Sequence, residues 1–130
     1  MPESFIPRRP VITASAKMPE AQAEMQAIAA YLKGQGIDAP CGSIYDEELR
    51  KQVKNGAFDL LIAVGGDGGV LRAGHLCAPS GVPILGINLG RLGFLIQIER
   101  SEWREYLEKL IQGEAWIENR MMLHADHMRA

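Results

Sequence analysis

Gly65, Gly66, Asp67, Gly68 and Gly69 read GGDGG, a single carboxylate held inside four glycines, between the apolar run 60–64 and the helix-like run 69–78. Taken alone, Asp67-Gly68 reads as a tight turn, because both residues tolerate positive φ. The flanks carry a second reading. A loop that leaves the C-terminal end of a buried strand and enters a helix lies where open α/β sheets bind ligands. Free amides at a helix N-terminus carry partial positive charge, and bare glycine backbone lets a phosphate approach them. The segment lacks the Lys-Ser/Thr ending of the P-loop and the spacing of the dinucleotide fingerprint. It places an anion inside an anion site instead. A carboxylate beside phosphates costs electrostatic energy, and two roles make sense of it. It accepts or orients the proton of an attacking hydroxyl, or it holds a magnesium ion that bridges the phosphates. Both roles describe phosphoryl transfer to an alcohol.

Other chemically able residues form weaker patterns. His124 and His127 lie three apart in a strand-like run, which puts them on opposite faces, so no metal site is expected there. His75 is expected packed or half exposed on an apolar helix, and Cys77 reads as a small buried hydrophobe. Trp103 and Trp116 read as core or domain-interface residues. Cys41 and Cys77 have no ligand spacing and make no disulfide framework. A reduced, cytoplasmic setting is the corresponding expectation.

The elements that must position Asp67 alternate in type. Residues 9–15 read as a short strand. Residues 18–36 read as an amphipathic helix with Pro19 in its first turn, Met25, Ile28, Ala29 and Leu32 on one face, and Gly34 and Gly36 at its end. Residues 44–56 give a shorter helix with Leu49 and Val53 inward. Residues 59–64, DLLIAV, are continuously apolar after Asp59, as expected of a strand covered on both faces. A third helix is expected over 69–78 and a further buried strand over 82–89. Residues 101–113 read as a helix with Ser101 as N-cap, Trp103, Leu107, Leu110 and Ile111 on its apolar face, and Gly113 as its stop. Strands alternating with helices argue for a parallel α/β sheet. An α/β domain over residues 1–114 looks complete, and the β-like run 115–130 reads as the start of a second, truncated domain.

Composition narrows the partners. The 130 residues are 47% hydrophobic and 23% charged, with 14 Lys+Arg against 16 Asp+Glu and a formal net charge of −2. That is ordinary globular composition, without the basic footprint of a nucleic-acid or membrane-surface binder. No apolar run approaches the ~20 residues that span a bilayer, and residues 1–10 hold no secretory h-region.

GGDG after an apolar strand, followed by PILGINLGRLGFL at residues 83–95, resembles the NAD kinase family. GGDG is shared with diacylglycerol and sphingosine kinases and, in related form, with phosphofructokinases; GINLGRLGFL is far more specific to NAD kinases. KMPEAQ at the first helix and ENRMMLHADHMR near the end are similar to the family too. The resemblance implies a three-layer, Rossmann-like or phosphofructokinase-like parallel sheet with helices on both faces, followed by the first strand of a β-rich domain. It implies that Asp67 orients or deprotonates the adenosine-ribose 2′-hydroxyl of NAD close to the γ-phosphate of ATP. Asp67, Gly68, Arg72 and Phe94 match NAD-contacting positions, and Gly65, Gly66, Gly68, Gly69 and Asn88 match the loops that face ATP phosphates. Arg72 also reads as a solvated helix-face arginine, Phe94 as core packing, and Asn88 as a residue satisfying turn backbone. Magnesium or another divalent cation is expected with ATP, polyphosphate is an alternative donor, and the chain itself is expected to supply no metal ligands. The full-length protein is expected to be a dimer or tetramer of identical chains binding small-molecule nucleotides. One departure stands out: the family has Thr where this chain has Gly69. A threonine there would cap the helix or reach a phosphate. These 130 residues alone are expected to be inactive. The other functions the residues allow are a lipid or sugar kinase of the GGDG group and a non-catalytic nucleotide-binding module.

Overall fold

Strands that are apolar along their whole length need cover on both faces, and helices supply it here. A computed structural model describes residues 6–89 and 98–113, and of Asp67 the backbone. In chain order the elements are β1 (Pro10–Ala14), α1 (Pro19–Gly34), β2 (Cys41–Gly42), α2 (Glu47–Lys54), β3 (Leu60–Gly65), α3 (Asp67–Cys77), β4 (Ile84–Asn88), β5 (Ile98–Glu99) and α4 (Trp103–Ile111). The five strands form one parallel sheet in the order β2-β1-β3-β4-β5. All six residues of β3 and all five of β1 and β4 are buried.

Alternation along the strands divides the core in two. Ile12, Ile62 and Leu85 pack with Met25, Ile28 and Leu32 of α1 and with Trp103, Leu107 and Leu110 of α4. Val11, Leu61 and Ile84 pack on the other face with Leu49 and Val53 of α2 and Val70, Ala73 and Leu76 of α3. The result is the expected three-layer architecture. The chain runs outward from β1 to β2, then returns across β1 to begin β3. Right-handed crossovers require the covering helices to change face at that reversal, and they do.

The helices stop where their glycines permit. Gly36 and Gly56 have φ of 82° and 80°. In each case the two amides at and after the glycine donate back to the last turn: Gly36 to Lys33 and Ile37 to Leu32, Gly56 to Val53 and Ala57 to Gln52. Two starts differ from the sequence expectation. The helix expected from residue 69 begins at Asp67, with Gly66 as N-cap. That places Gly69 in the first turn, where it caps nothing. α4 has Glu102, not Ser101, as N-cap. The Glu102 carboxylate accepts from the Glu99 amide at 3.0 Å, and the Glu102 amide donates to the Glu99 carbonyl at 2.9 Å, which tightens residues 99–102 into a turn and leaves Ser101 outside the capping position. Ala29 and Ile111, expected inward, are half-buried. Phe94, Trp116, His124, His127 and the expected boundary at residue 114 lie outside the described residues.

Trp103 is buried, edge-on to Tyr31 with ring centroids 5.8 Å apart. Its indole N–H donates to Glu24 at 2.5 Å, and the other Glu24 oxygen accepts from Arg100 at 2.8 Å. Glu24 thereby ties α1 to the start of α4. Glu24→Ala is expected to cost roughly 1–3 kcal/mol in urea unfolding, chiefly by leaving the indole N–H buried without an acceptor. Arg100 is largely exposed and adds little.

Cys77 is buried and Cys41 exposed. Burial pushes the Cys77 thiol up to about 12 from an ordinary 9.0. At pH 8 a thiol reagent is therefore expected to label Cys41 in the native protein and Cys77 on unfolding alone. Because the folded value is raised, the stabilising contribution is complete below pH 9 and fades as pH climbs toward 12.

Candidate functional site

In the strand order 2-1-3-4-5, chain direction reverses between β1 and β3, and ligands bind such sheets at the carboxyl ends beside the reversal. β3 delivers the glycine segment to that point. Ala14 of β1 pairs with Val64, and Asn88 of β4 pairs with Gly65. The Ser15 amide donates to the Val64 carbonyl at 3.4 Å, and the Leu89 amide donates to the Gly65 carbonyl at 3.1 Å, so the end of β3 is held from both neighbours.

Gly65 then turns the chain at φ 149°, a region that side chains with a Cβ rarely enter. Gly66 caps α3 in extended conformation and faces open space. Asp67, Gly68 and Gly69 form the first helical turn, so their amides belong to the group left without carbonyl partners inside the helix. At this first position an acid also complements the helix dipole. A Cβ on Gly68 would lie 3.3 Å from an Arg72 guanidinium nitrogen, which means that the arginine folds back along α3 over the glycine. The same guanidinium lies 5.4 Å from the centroid of the Tyr45 ring, and Tyr45 is 63% exposed.

Two clefts open on either side of this turn. The first, about 330 Å³, lies between Thr13 and Ala14 of β1 with the following residues 15–17, residues 43–45 after β2, Ala63 and Val64 of β3, and Gly69 and Arg72 of α3. It contains two cationic side chains, Lys17 and Arg72, and no carboxylate among the described lining residues. Neither cation makes an ion pair among the described residues. The second is a more open cleft of about 720 Å³ on the α1/α4 side, where Asn88 and Leu89 meet Glu24, Arg100, Trp103 and Arg104.

The structure therefore separates the residues singled out in the sequence. Gly69 and Arg72 line the first cleft, Asn88 lines the second, and Gly65, Gly66 and Gly68 form the turn between them. Arg72 is exposed, yet it is held by the Tyr45 ring rather than lying loose on the helix. His75 is exposed and lies at neither cleft. Thr13, Ser15, Lys17, Ser43 and Tyr45 were not anticipated. The signal for them was present: the rule that drew attention to the end of β3 applies equally to the end of β1. Among the described residues no group of three or more His, Cys, Asp or Glu side chains converges as a metal site.

Gly69 has nothing within 4 Å of where a Cβ would sit. Gly69→Thr is expected to fit without strain. It should raise Tm by roughly 2 °C through helix propensity alone, readable by thermal melting.

The model of the ATP-NAD kinase N-terminal domain matches residues 11–115. An NAD kinase of Moorella thermoacetica is 56% identical over 97 residues, covering 75% of this chain and 29% of that protein. One from Treponema denticola is 36% identical over 118 residues, covering 91% of this chain and 41% of its own length. One from Caldanaerobacter subterraneus subsp. tengcongensis is 57% identical over 68 residues, covering 52% and 24%. The chain thus spans between about a quarter and two-fifths of the length of these curated relatives.

Proposed function

The chain belongs to the NAD kinase family, and we propose that it presents Asp67 and a phosphate-accepting turn for transfer of the γ-phosphate of ATP, or a phosphate of polyphosphate, to the adenosine-ribose 2′-hydroxyl of NAD. The observation that carries this reading is the backbone position of Asp67: first residue of a helix, after a glycine cap, at the carboxyl end of the central strand.

Phosphoryl transfer passes through a loose transition state, so positioning and charge stabilisation supply most of the catalysis. The free amides of residues 67–69 face the transferring group, and Gly65 and Gly66 keep side chains away from it. Asp67 orients the 2′-hydroxyl and takes its proton as the new phosphorus–oxygen bond forms and the bond from that phosphorus to the donor's bridging oxygen breaks, releasing ADP or the shortened polyphosphate. Arg72, Gly68 and Phe94 contact the acceptor dinucleotide, and Asn88 joins Gly65, Gly66, Gly68 and Gly69 on the side of the donor phosphates. A divalent cation bound with the donor would neutralise charge on its phosphates.

Residues 115–130 open a second domain in this reading, the full-length protein works as a dimer or tetramer in the cytoplasm, and the 130 residues alone do not turn over. No helix among the described residues is long and apolar enough to cross a membrane. The test is an acceptor screen on the full-length gene product with ATP and magnesium. NADP formation from NAD is expected; phosphorylation of a diacylglycerol, a sphingoid base or a sugar in its place would move the assignment to the wider GGDG group. Nucleotide binding without any transfer would favour the non-catalytic module.

A further inference from the structure

The turn after β2 leaves the large ring of Tyr45 in solvent, while its neighbour Ile44 is buried in the layer against α2 and α3. The turn itself is tightly held. Ser43 Oγ accepts from the Tyr45 amide at 3.1 Å, and the Ser43 carbonyl accepts from the Asp46 amide at 3.0 Å. The Asp46 carboxylate caps α2 by accepting from the Leu49 amide at 3.1 Å, and the Arg50 guanidinium donates to the Ile44 carbonyl at 3.2 Å. Residue 45 is thus fixed from both sides. Its phenol hydroxyl makes no hydrogen bond among the described residues, so the position offers a ring face and little else.

Arg72 meets that face, with its guanidinium carbon 5.4 Å from the ring centroid, within cation–π range. The same guanidinium lies over Gly68, 3.3 Å from where a Cβ would sit. Helical side chains lean toward the N-terminus of their helix, which carries Arg72 in this direction. Charge opposes the move. The free amides of the first turn of α3 are partly positive, and a cation beside them is repelled. No ion pair among the described residues offsets this for Arg72. The Tyr45 ring supplies the attraction instead. A guanidinium stacked on a ring also keeps its in-plane N–H groups free to donate, so the stacking does not compete with a ligand.

We propose that Tyr45 is a positioning residue for the acceptor: it clamps Arg72 over Gly68, ready to meet the dinucleotide, without touching the dinucleotide itself. The proposal rests on the function proposed above, in which Arg72 contacts NAD, and adds what sets the place of that cation. The clamp joins the β2–α2 turn to α3, two segments that the fold brings together across more than twenty residues of chain.

The experiment uses the full-length gene product with Tyr45→Ala, Tyr45→Phe, Arg72→Ala and the double variant Tyr45→Ala/Arg72→Ala. NADP formation is followed at varied NAD and varied ATP, and the Arg72 side-chain proton signals are recorded by NMR without ligand. In the parent the ring current is expected to move the Arg72 Cδ protons upfield; Tyr45→Ala should abolish that shift and Tyr45→Phe keep it. Tyr45→Ala is expected to raise KM for NAD about 2–5-fold, the scale of an exposed cation–π contact, with kcat and KM for ATP near the parent values. Its Tm should move by less than about 4 °C. Tyr45→Phe should restore the parent KM. Arg72→Ala should raise KM for NAD further, and adding Tyr45→Ala to it should change nothing more. Additive effects in the double variant would overturn the proposal, because Tyr45 would then act independently of Arg72. So would a Tyr45→Phe variant as impaired as Tyr45→Ala, a rise confined to KM for ATP, or a parent spectrum without the upfield shift. The two readings fail separately. A product that makes no NADP from NAD ends the functional reading, and the acceptor role of Tyr45 with it; NADP formation unchanged by Tyr45→Ala ends the positioning role alone.

Discussion

Asp67→Asn in the full-length gene product is expected to lower NADP formation by roughly 10³-fold or more while changing Tm by less than about 5 °C. The two magnitudes come from different properties of the same residue. Asn keeps the shape and one acceptor oxygen but loses the negative charge and the ability to take a proton, and loss of a general base alone costs about 10²–10⁴-fold. The further loss arises because the amide can present its NH₂ to the hydroxyl and orient it wrongly. Stability depends on the backbone position. As the first residue of α3, Asp67 complements the partial positive charge of the helix N-terminus, a contribution of about 0.3–1 kcal/mol. For a domain of this size that is a few degrees at most. The pairing of readouts distinguishes two roles. If Asp67 served only as a favourable first-turn acid, Asn would show the same small change in Tm and nearly full turnover. A variant that keeps its activity would therefore end the catalytic reading.

The largest effect on stability is expected from Ile62→Ala, at about 2–5 kcal/mol and a fall in Tm of roughly 10–30 °C. Ile62 is fully buried at the middle of β3, paired with Ile12 of β1 and Leu85 of β4, and packed in the layer against α1 and α4. Its neighbour Leu61 is equally buried but belongs to the layer against α2 and α3. Leu61→Ala is expected to be as damaging as Ile62→Ala. A sheet covered on one face alone would give one severe and one mild neighbour, so two severe losses in sequence test the three-layer arrangement directly. Glu105→Ala, which removes an exposed ion pair with Lys109 on α4, should stay within about 0.5 kcal/mol. Chemical denaturation of the three variants provides the comparison. Because β3 carries Gly65 and the start of α3, its loosening should also reduce affinity for phosphates before global unfolding.

Much of this arrangement was legible in the residues themselves, because it depends on local chemistry. Five consecutive apolar residues in β3, Leu60 to Val64, demand burial on both faces whatever surrounds them. Gly36 and Gly56 stop helices because they accept positive φ. Pro19 opens α1 because its missing N–H is not needed there. The GGDG and GINLGRLGFL segments pointed to the family because each is a run of adjacent residues, legible without knowledge of the fold. Local reading failed where several side chains competed for one role. Ser101 is a good N-cap by type, but the Glu102 carboxylate reaches the Glu99 amide and takes the turn. Gly69 read as a cap and proved to lie one turn inward, since Gly66 already ends the strand geometry.

By itself, then, the amino-acid sequence determined the fold class, the family and the aspartate at the end of β3. What the tertiary structure alone decided is the company Asp67 keeps. The order 2-1-3-4-5 brings the end of β1 beside β3 across some fifty residues of chain, and with it Thr13, Ser15 and Lys17 to the same cavity as Arg72. No spacing in the sequence encodes that proximity. It follows from strand pairing and from the right-handed crossovers that put α2 and α3 on one face, and those are properties of the assembled sheet rather than of any segment in it.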